Sequence, residues 1–145
     1  MSSDVKFRTT VEWTGAFPIQ ARARNHHMYI DEPAQAGGND KGPTPVEYVL
    51  IGLGGCILFV GRLVANEMGL DLKSVKVTLS GTLNPAKFRG QPTNDRAGFK
   101  QIEVEIEADP NIPREKIEEW IKKVESRCPV GDNLQNPTPI TFKIK

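Results

Sequence analysis

The stretch TPVEYVLIGLGGCILFVGRLVANEMG, residues 44–69, predicts one long helix. Thr44 is a favourable N-cap residue, and Pro45 suits the first helical position. Glu47 stands where it completes a capping box with Thr44. At the other end, Gly69 is typical of the residue that follows the last helical turn. Both ends of the helix are therefore predicted from local chemistry.

The same helix is apolar on nearly every face from residue 46 to residue 64. Such a helix must be covered on all sides, and a chain of 145 residues has few other elements to cover it. A second copy of the chain is the simplest cover, so we expect a homodimer. The charge-free run over residues 49–61 has thirteen residues. A bilayer requires roughly 18 to 20, which favours a buried helix over a membrane span.

Further strands and one further helix are predicted around this segment. Six segments are predicted strands, because they are rich in β-formers or alternate like half-buried antiparallel strands. In chain order they are residues 5–13, 17–24, 27–31, 74–83, 101–109 and 140–145. Residues 113–128 predict an amphipathic helix. The order β-β-β-α-β-β-α-β lacks a regular alternation of strands and helices, which predicts an α+β fold. The length favours a single domain over residues 1–145.

The composition argues against several classes of function. A formal net charge of +1 gives no electrostatic attraction to nucleic acid or to an anionic membrane. Residues 1–10 lack the apolar segment of a signal peptide, so a reducing cytoplasm is expected. Two cysteines 72 positions apart match no zinc-binding spacing. The adjacent His26 and His27 would point to opposite faces of a strand. No metal site is therefore expected.

Glycines are concentrated just before the first cysteine, Cys56. The stretch GLGGCI begins like the dinucleotide-binding pattern G-x-G-x-x-G, but Ile57 occupies the last glycine position and the stretch lies inside a helix. Nucleotide binding is therefore not expected. Gly52 and Gly55 share one helical face. A face without side chains lets another backbone, such as a partner helix, approach closely.

Two interpretations of the cysteines stay open from the residues alone. Free cysteine is often a small, buried apolar side chain. Cys56 and Cys128 could instead be a peroxidatic and resolving pair. Cys128 stands near the end of the second predicted helix, and Pro129 limits continuation of that helix. Spacing along the chain does not show whether the two sulfurs meet.

The stretch GPTPVEYVLIGLGGC, residues 42–56, together with CPV, residues 128–130, resembles the OsmC/Ohr family. That family comprises osmotically inducible and organic hydroperoxide resistance proteins, and the resemblance is to its broad OsmC-like branch. The resemblance implies an intertwined homodimer with an OsmC-like fold. In such a dimer, two long central helices pack together between antiparallel sheets contributed by both chains.

The resemblance also implies a chemistry for the two cysteines. Cys56, as a thiolate, would attack the terminal oxygen of an organic hydroperoxide and become a sulfenic acid. Cys128 would then condense with it to a disulfide, which an external dithiol, lipoyl-linked in the family, would reduce. No metal or prosthetic group is implied. The substrate would bind in an apolar pocket at the dimer interface, with Leu53, Ile57 and Phe59 as wall residues.

In the family's peroxidases, an arginine held by a glutamate activates the thiol. This chain does not match the positions of that pair directly. The family's glutamate position holds Val46 in this chain, and Glu47 is next to it. Nine residues at about 100° each would put Glu47 opposite Cys56 on a straight helix. Arg22 and Arg24 share one face of a predicted strand, and Arg22 is the predicted activating arginine.

Two other functions remain alternatives to the peroxidase. The first is a non-catalytic OsmC-like protein that binds a small apolar or thiol-reactive ligand in the same cleft. The second is a redox sensor in which oxidation of Cys56 and Cys128 alters a surface that binds a partner.

Overall fold

The computed structural model describes residues 3–145, so the first two residues of the predicted domain lie outside the described residues. The strands and α-helices of the described residues are, in chain order, β1 (Thr10–Glu12), β2 (Ile19–Ala23), β3 (His26–Ile30), α1 (Pro45–Met68), β4 (Val75–Thr82), β5 (Gln101–Ala108), α2 (Arg114–Glu125) and α3 (Pro129–Gln135). All strand pairs are antiparallel, in one sheet of β1-β2-β3 and one of β4-β5. The α+β class is therefore confirmed.

The chain divides into two compact units, the first ending at Val49 and the second spanning Leu50–Lys145. In the first unit, β2 is the central strand, with Ala21 opposite Val11 of β1 and Met28 of β3. The second unit contains most of α1, the β4–β5 sheet, α2 and α3.

The predicted ends of the long helix are confirmed, because α1 spans Pro45–Met68. The Thr44 backbone N–H donates to Glu47 Oε2 at 2.8 Å, and the Glu47 backbone N–H donates to Thr44 Oγ1 at 3.3 Å. This is the predicted capping box. The Tyr48 hydroxyl donates to the Tyr29 carbonyl at 2.6 Å, which attaches the first turn of α1 to β3.

The core of the second unit lies where α1 packs against α2. Val64 and Ala65 of α1 are buried with Trp120 and Val124 of α2. The Trp120 indole N–H donates to the Gly61 carbonyl at 2.7 Å. A Cβ built on Gly61 would overlap the Trp120 ring, so the absence of a side chain permits this close packing.

The β4–β5 sheet packs on α1 next to the cysteine-containing turn. A Cβ added at Gly54 would lie 2.8 Å from Leu79 Cδ1 of β4. Gly54 therefore lets the strand approach the helix closely. Apart from its chain neighbours and the backbone of its own helix, a Cβ added at Gly52 or Gly55 would meet no described atom within 4 Å. The predicted approach of a partner helix at those two glycines stays a prediction.

One face of α1 in the second unit is open and largely apolar, and the exposed Arg62 also lies on it. Gly52 and Gly55 lie on this face with four exposed large side chains, Ile51, Leu58, Phe59 and Leu63. By length and composition, α1 is long and apolar enough to cross a membrane, and 28% of its most apolar 18-residue window is buried. The thirteen-residue estimate was therefore too short, because a single arginine, Arg62, interrupts a longer apolar helix. One such helix is weak support for a membrane span, since the central helix of a compact protein has the same length and composition.

The predictions for the two chain ends were partly wrong. No strand is assigned to residues 140–145 within the described chain, and Ile140, Phe142 and Ile144 are exposed. β1 forms only at Thr10–Glu12, a shorter segment than the predicted residues 5–13. The physical reason is that a strand requires a hydrogen-bonded neighbour, and β2 pairs only with those three residues of β1. The end of the chain contains instead a third helix that was not predicted, α3.

Candidate redox site

Two free thiols meet in the second unit. Cys56 Sγ and Cys128 Sγ are 3.0 Å apart and share a hydrogen bond, although 72 positions separate them along the chain. A disulfide requires the sulfurs to approach to about 2.05 Å. A small side-chain movement is therefore enough to bring these two atoms to bonding distance.

The two sulfurs differ in exposure because different elements carry them. Cys56 is half-buried and lies where the open face of α1 meets the packed face. Cys128 is only 3% exposed and is the N-cap residue of α3. A molecule from solvent can therefore reach the sulfur of Cys56 more readily than that of Cys128.

The first turn of α3 directs backbone N–H groups at both sulfurs. α3 begins at Pro129, which has no N–H, and the Gly131 N–H donates to Cys128 Sγ at 3.3 Å. The Val130 N–H donates to the Cys56 sulfur. Backbone donors at the start of a helix favour negative charge on the atom that accepts them. A fixed backbone donor therefore lies beside each of the two sulfurs.

The pKa of the Cys56 thiol is raised above its ordinary value. Burial is the largest cause, because it disfavours the charged thiolate. The hydrogen bond and the charge of Cys128 raise the pKa of Cys56 further, while the Val130 N–H lowers it. At neutral pH Cys56 is therefore mostly a neutral thiol.

The three predicted wall residues have different environments. Leu53, one turn before Cys56, is buried, and its Cδ1 would lie 3.8 Å from a Cβ added at Gly131. Ile57 packs against the core that α1 and α2 form. Phe59 is 76% exposed on the open face of α1. The apolar pocket at a dimer interface stays a prediction.

The predicted activating residues Arg22 and Glu47 both belong to the first unit. Arg22 Nε donates to the Arg24 carbonyl at 2.8 Å, and Glu47 forms the capping box. The predicted shared strand face of Arg22 and Arg24 was wrong, because β2 ends at Ala23 and Arg24 lies in the following turn with a φ of 55°. The catalytic roles of Arg22 and Glu47 stay predictions.

Sequence reasoning missed two features around Cys128. The first is the first turn of α3, at Val130 and Gly131. Pro129 could have signalled it, because proline favours the first position of a helix. The second is an ion pair between Arg127 Nη1 and Glu67 Oε2, 2.6 Å apart. No local pattern could have revealed this pair, because it joins residues 60 positions apart.

The family model described as OsmC-like protein matches residues 38–143, which is more than half of the chain and includes both cysteines. The chain belongs to the OsmC-like protein family. This agrees with the resemblance carried by residues 42–56 and 128–130. A comparison with curated proteins finds no match.

Solved structures of OsmC-like proteins share the fold of this chain. An OsmC-like protein from Mycoplasma pneumoniae is 23% identical with a TM-score of 0.79, covering 91% of this chain and 89% of its own. An organic hydroperoxide resistance protein OsmC from Legionella pneumophila is 16% identical with a TM-score of 0.69, covering 92% of both chains. An organic hydroperoxide resistance protein from Elizabethkingia anophelis is 21% identical with a TM-score of 0.66, covering 91% of this chain and 89% of its own. At these identities the likeness shows the fold alone.

Proposed function

We propose that this OsmC-like protein is a thiol-dependent peroxidase that reduces organic hydroperoxides. The observation that carries the proposal is the 3.0 Å separation between a half-buried Cys56 sulfur and a buried Cys128 sulfur. Two thiols at this distance can complete an oxidation cycle without a large movement of the chain. Two structural neighbours are organic hydroperoxide resistance proteins, which supports organic hydroperoxides as the substrate class.

The proposed cycle begins at Cys56, whose sulfur is the more accessible of the two. Its thiolate attacks the terminal oxygen of the hydroperoxide, the O–O bond breaks, and the leaving alkoxide takes a proton to become an alcohol. The sulfur is left as a sulfenic acid. The two electrons that reduce the peroxide come from this sulfur.

Cys128 completes the oxidative half of the cycle. Its sulfur displaces hydroxide from the Cys56 sulfenic acid, a disulfide forms, and the hydroxide leaves as water with the thiol proton. Burial of Cys128 keeps the resolving thiol away from direct oxidation by solvent species. An external dithiol, of the lipoyl type, then exchanges with the disulfide and restores both thiols.

The first step requires a thiolate, so the raised pKa of Cys56 must be overcome when substrate binds. The Val130 N–H already favours the thiolate. We keep Arg22 and Glu47 as the proposed arginine and carboxylate that add to this stabilisation. The cycle uses no metal or prosthetic group, and a reducing cytoplasm would supply the thiols that it consumes.

The proposal includes a homodimer in which a second chain covers the open face of α1. Four exposed apolar side chains, Ile51, Leu58, Phe59 and Leu63, lie on that face. Large apolar patches on a surface mark sites of association. Cys56 lies at the edge of the same face, so a covering chain would form one wall of an apolar site for the hydroperoxide.

One observation favours the non-catalytic alternative. The raised pKa of Cys56 lowers the fraction of reactive thiolate in the reduced protein. A protein that only binds a small apolar ligand needs no reactive thiolate. Repeated turnover of peroxide therefore distinguishes the peroxidase from the non-catalytic alternatives.

Turnover of cumene hydroperoxide in the presence of an excess dithiol separates these functions. The proposal predicts continuous peroxide loss with the wild type and none with Cys56→Ser. Cys128→Ser, assayed without dithiol, is the matched control, because it should still consume about one equivalent of peroxide and leave a Cys56 sulfenic acid that dimedone traps. A wild type that consumes no peroxide, or that stops after one equivalent with dithiol present, would contradict the peroxidase and favour the alternatives.

A further inference from the structure

We propose that the ion pair between Arg127 and Glu67 is a positioning element that holds the resolving thiol of Cys128 beside Cys56. The inference rests on the proposed function, since the pair has this role only where the two thiols form a disulfide. Neither residue belongs to the sequence motifs that identify the family in this chain.

Two neighbouring residues attach the same piece of chain to one helix. Cys128 contacts α1 through Cys56, and Arg127 contacts α1 through Glu67, with 2.6 Å between Nη1 and Oε2. Glu67 follows Cys56 by eleven residues, so at about 100° per residue the two side chains differ by only about 20° around the helix. Both attachments therefore lie along one edge of α1.

The short connection between α2 and α3 is followed by one more attachment to α1, because the Val130 N–H donates to the Cys56 sulfur. α2 ends at Glu125, and α3 begins at Pro129. Cys128 Sγ has hydrogen bonds with Cys56 Sγ and with the Gly131 N–H of its own helix. The ion pair thus limits how far this short connection can move away from Cys56.

The charges of this pair stabilise each other. The Arg127 guanidinium is the largest cause that lowers the pKa of Glu67, and Lys123 adds to the lowering. Glu67 in turn raises the pKa of Arg127. The side chains are 42% and 58% exposed, so the attraction is screened by salt and is modest in size.

Positioning has a measurable consequence for the thiol–disulfide equilibrium. The equilibrium constant for an internal disulfide depends on the effective concentration of one thiol near the other. Loosening the connection around Cys128 in the reduced protein lowers that concentration. Loss of an exposed ion pair should therefore lower the constant about two- to fivefold. That change makes the reduction potential about 9 to 21 mV less negative.

The test is a titration of the reduced protein with glutathione buffers, with alkylation and mass spectrometry to count the disulfide. In this exchange the two thiols give two electrons to oxidised glutathione, which leaves as two reduced molecules. The variants are Arg127→Met, Glu67→Gln and their combination. Arg114→Met is the matched control, because it removes a similar ion pair, with Glu118 at 3.1 Å, at the other end of α2.

We expect each single variant to lower the equilibrium constant at low salt, and the double variant to lower it no further. At about 1 M salt, where the Debye length is about 3 Å, the difference between the wild type and the variants should become smaller. Arg114→Met should match the wild type throughout.

Unchanged equilibrium constants in both single variants would overturn the inference. Decreases in the constant that add in the double variant, or that are equally large at high salt, would also overturn it. No peroxide takes part in the titration. A protein that fails to reduce peroxide therefore refutes the proposed function without altering this result, and unchanged constants leave the peroxidase proposal standing.

Discussion

Cys56 and Cys128 carry the same functional group, and their surroundings give them different properties. Cys56 is half-buried in the middle of a helix, while Cys128 caps the start of another helix and is buried. The chemistry of the pair is coupled, because the hydrogen bond and charge of Cys128 raise the pKa of Cys56.

We expect Cys128→Ser to move the reactivity of Cys56 to lower pH. Serine carries no charge and can donate a hydrogen bond to the Cys56 thiolate, so two causes that raise the pKa are removed. Burial, the largest cause, remains. The measurement is the rate of alkylation of Cys56 by iodoacetamide across the neutral and alkaline range, read by mass spectrometry. An unchanged or higher apparent pKa in the variant would show that Cys128 does not influence Cys56.

At the scale of elements, the packing of α2 on α1 supports the helix that carries Cys56. Gly61 permits the contact, because the Trp120 ring occupies the space that a side chain would fill. The indole N–H also donates to the Gly61 carbonyl. A change at this contact should therefore affect stability more than a change at an open glycine.

Gly61→Ala should lower the free energy of unfolding by about 1 to 3 kcal/mol, the usual cost of overpacking a core. Gly98→Ala is the matched control, since its added Cβ would lie 3.8 Å from the nearest atom, in the Arg96 side chain. That change should stay within about 0.5 kcal/mol. Urea unfolding followed by tryptophan fluorescence measures both. Equal stability of the two variants would mean that α1 and α2 do not pack as described.

The elements differ in how well the sequence predicts them. The ends of α1 were predictable because Thr44, Glu47 and Gly69 act on the backbone next to them. The strand expected at residues 140–145 was not found, because alternation predicts a strand face but does not supply a neighbouring strand. The contact between Cys56 and Cys128 depends on the packing of α1 against α2 and α3, and no local pattern encodes that packing.

At the scale of the whole molecule, several apolar segments are uncovered within one chain. The open face of α1 contains Phe59 and Leu63. Val5 and Phe7 before β1, and Phe142 near the C-terminus, are exposed as well. A second copy of the chain would cover surfaces of this kind, as the proposed homodimer requires.

Phe59→Glu should shift the protein from dimer towards monomer, because the covered face would have to bury a charge in place of an apolar ring. A loss of at least tenfold in dimer affinity corresponds to about 1.4 kcal/mol. Leu134→Glu is the matched control, as Leu134 is an exposed apolar residue on α3. Analytical ultracentrifugation over a range of concentrations measures the effect. A variant that remains as dimeric as the wild type, or a wild type that is monomeric, would contradict the proposed cover of α1.

The most direct test of the redox site is a single-turnover reaction with mapped products. Fully reduced protein is mixed with one equivalent of cumene hydroperoxide, free thiols are alkylated, and the peptides are identified by mass spectrometry. The proposed cycle predicts a disulfide between Cys56 and Cys128 of one chain, with one cumyl alcohol released for each disulfide. Recovery of both cysteines as alkylated thiols, with the hydroperoxide intact, would contradict it.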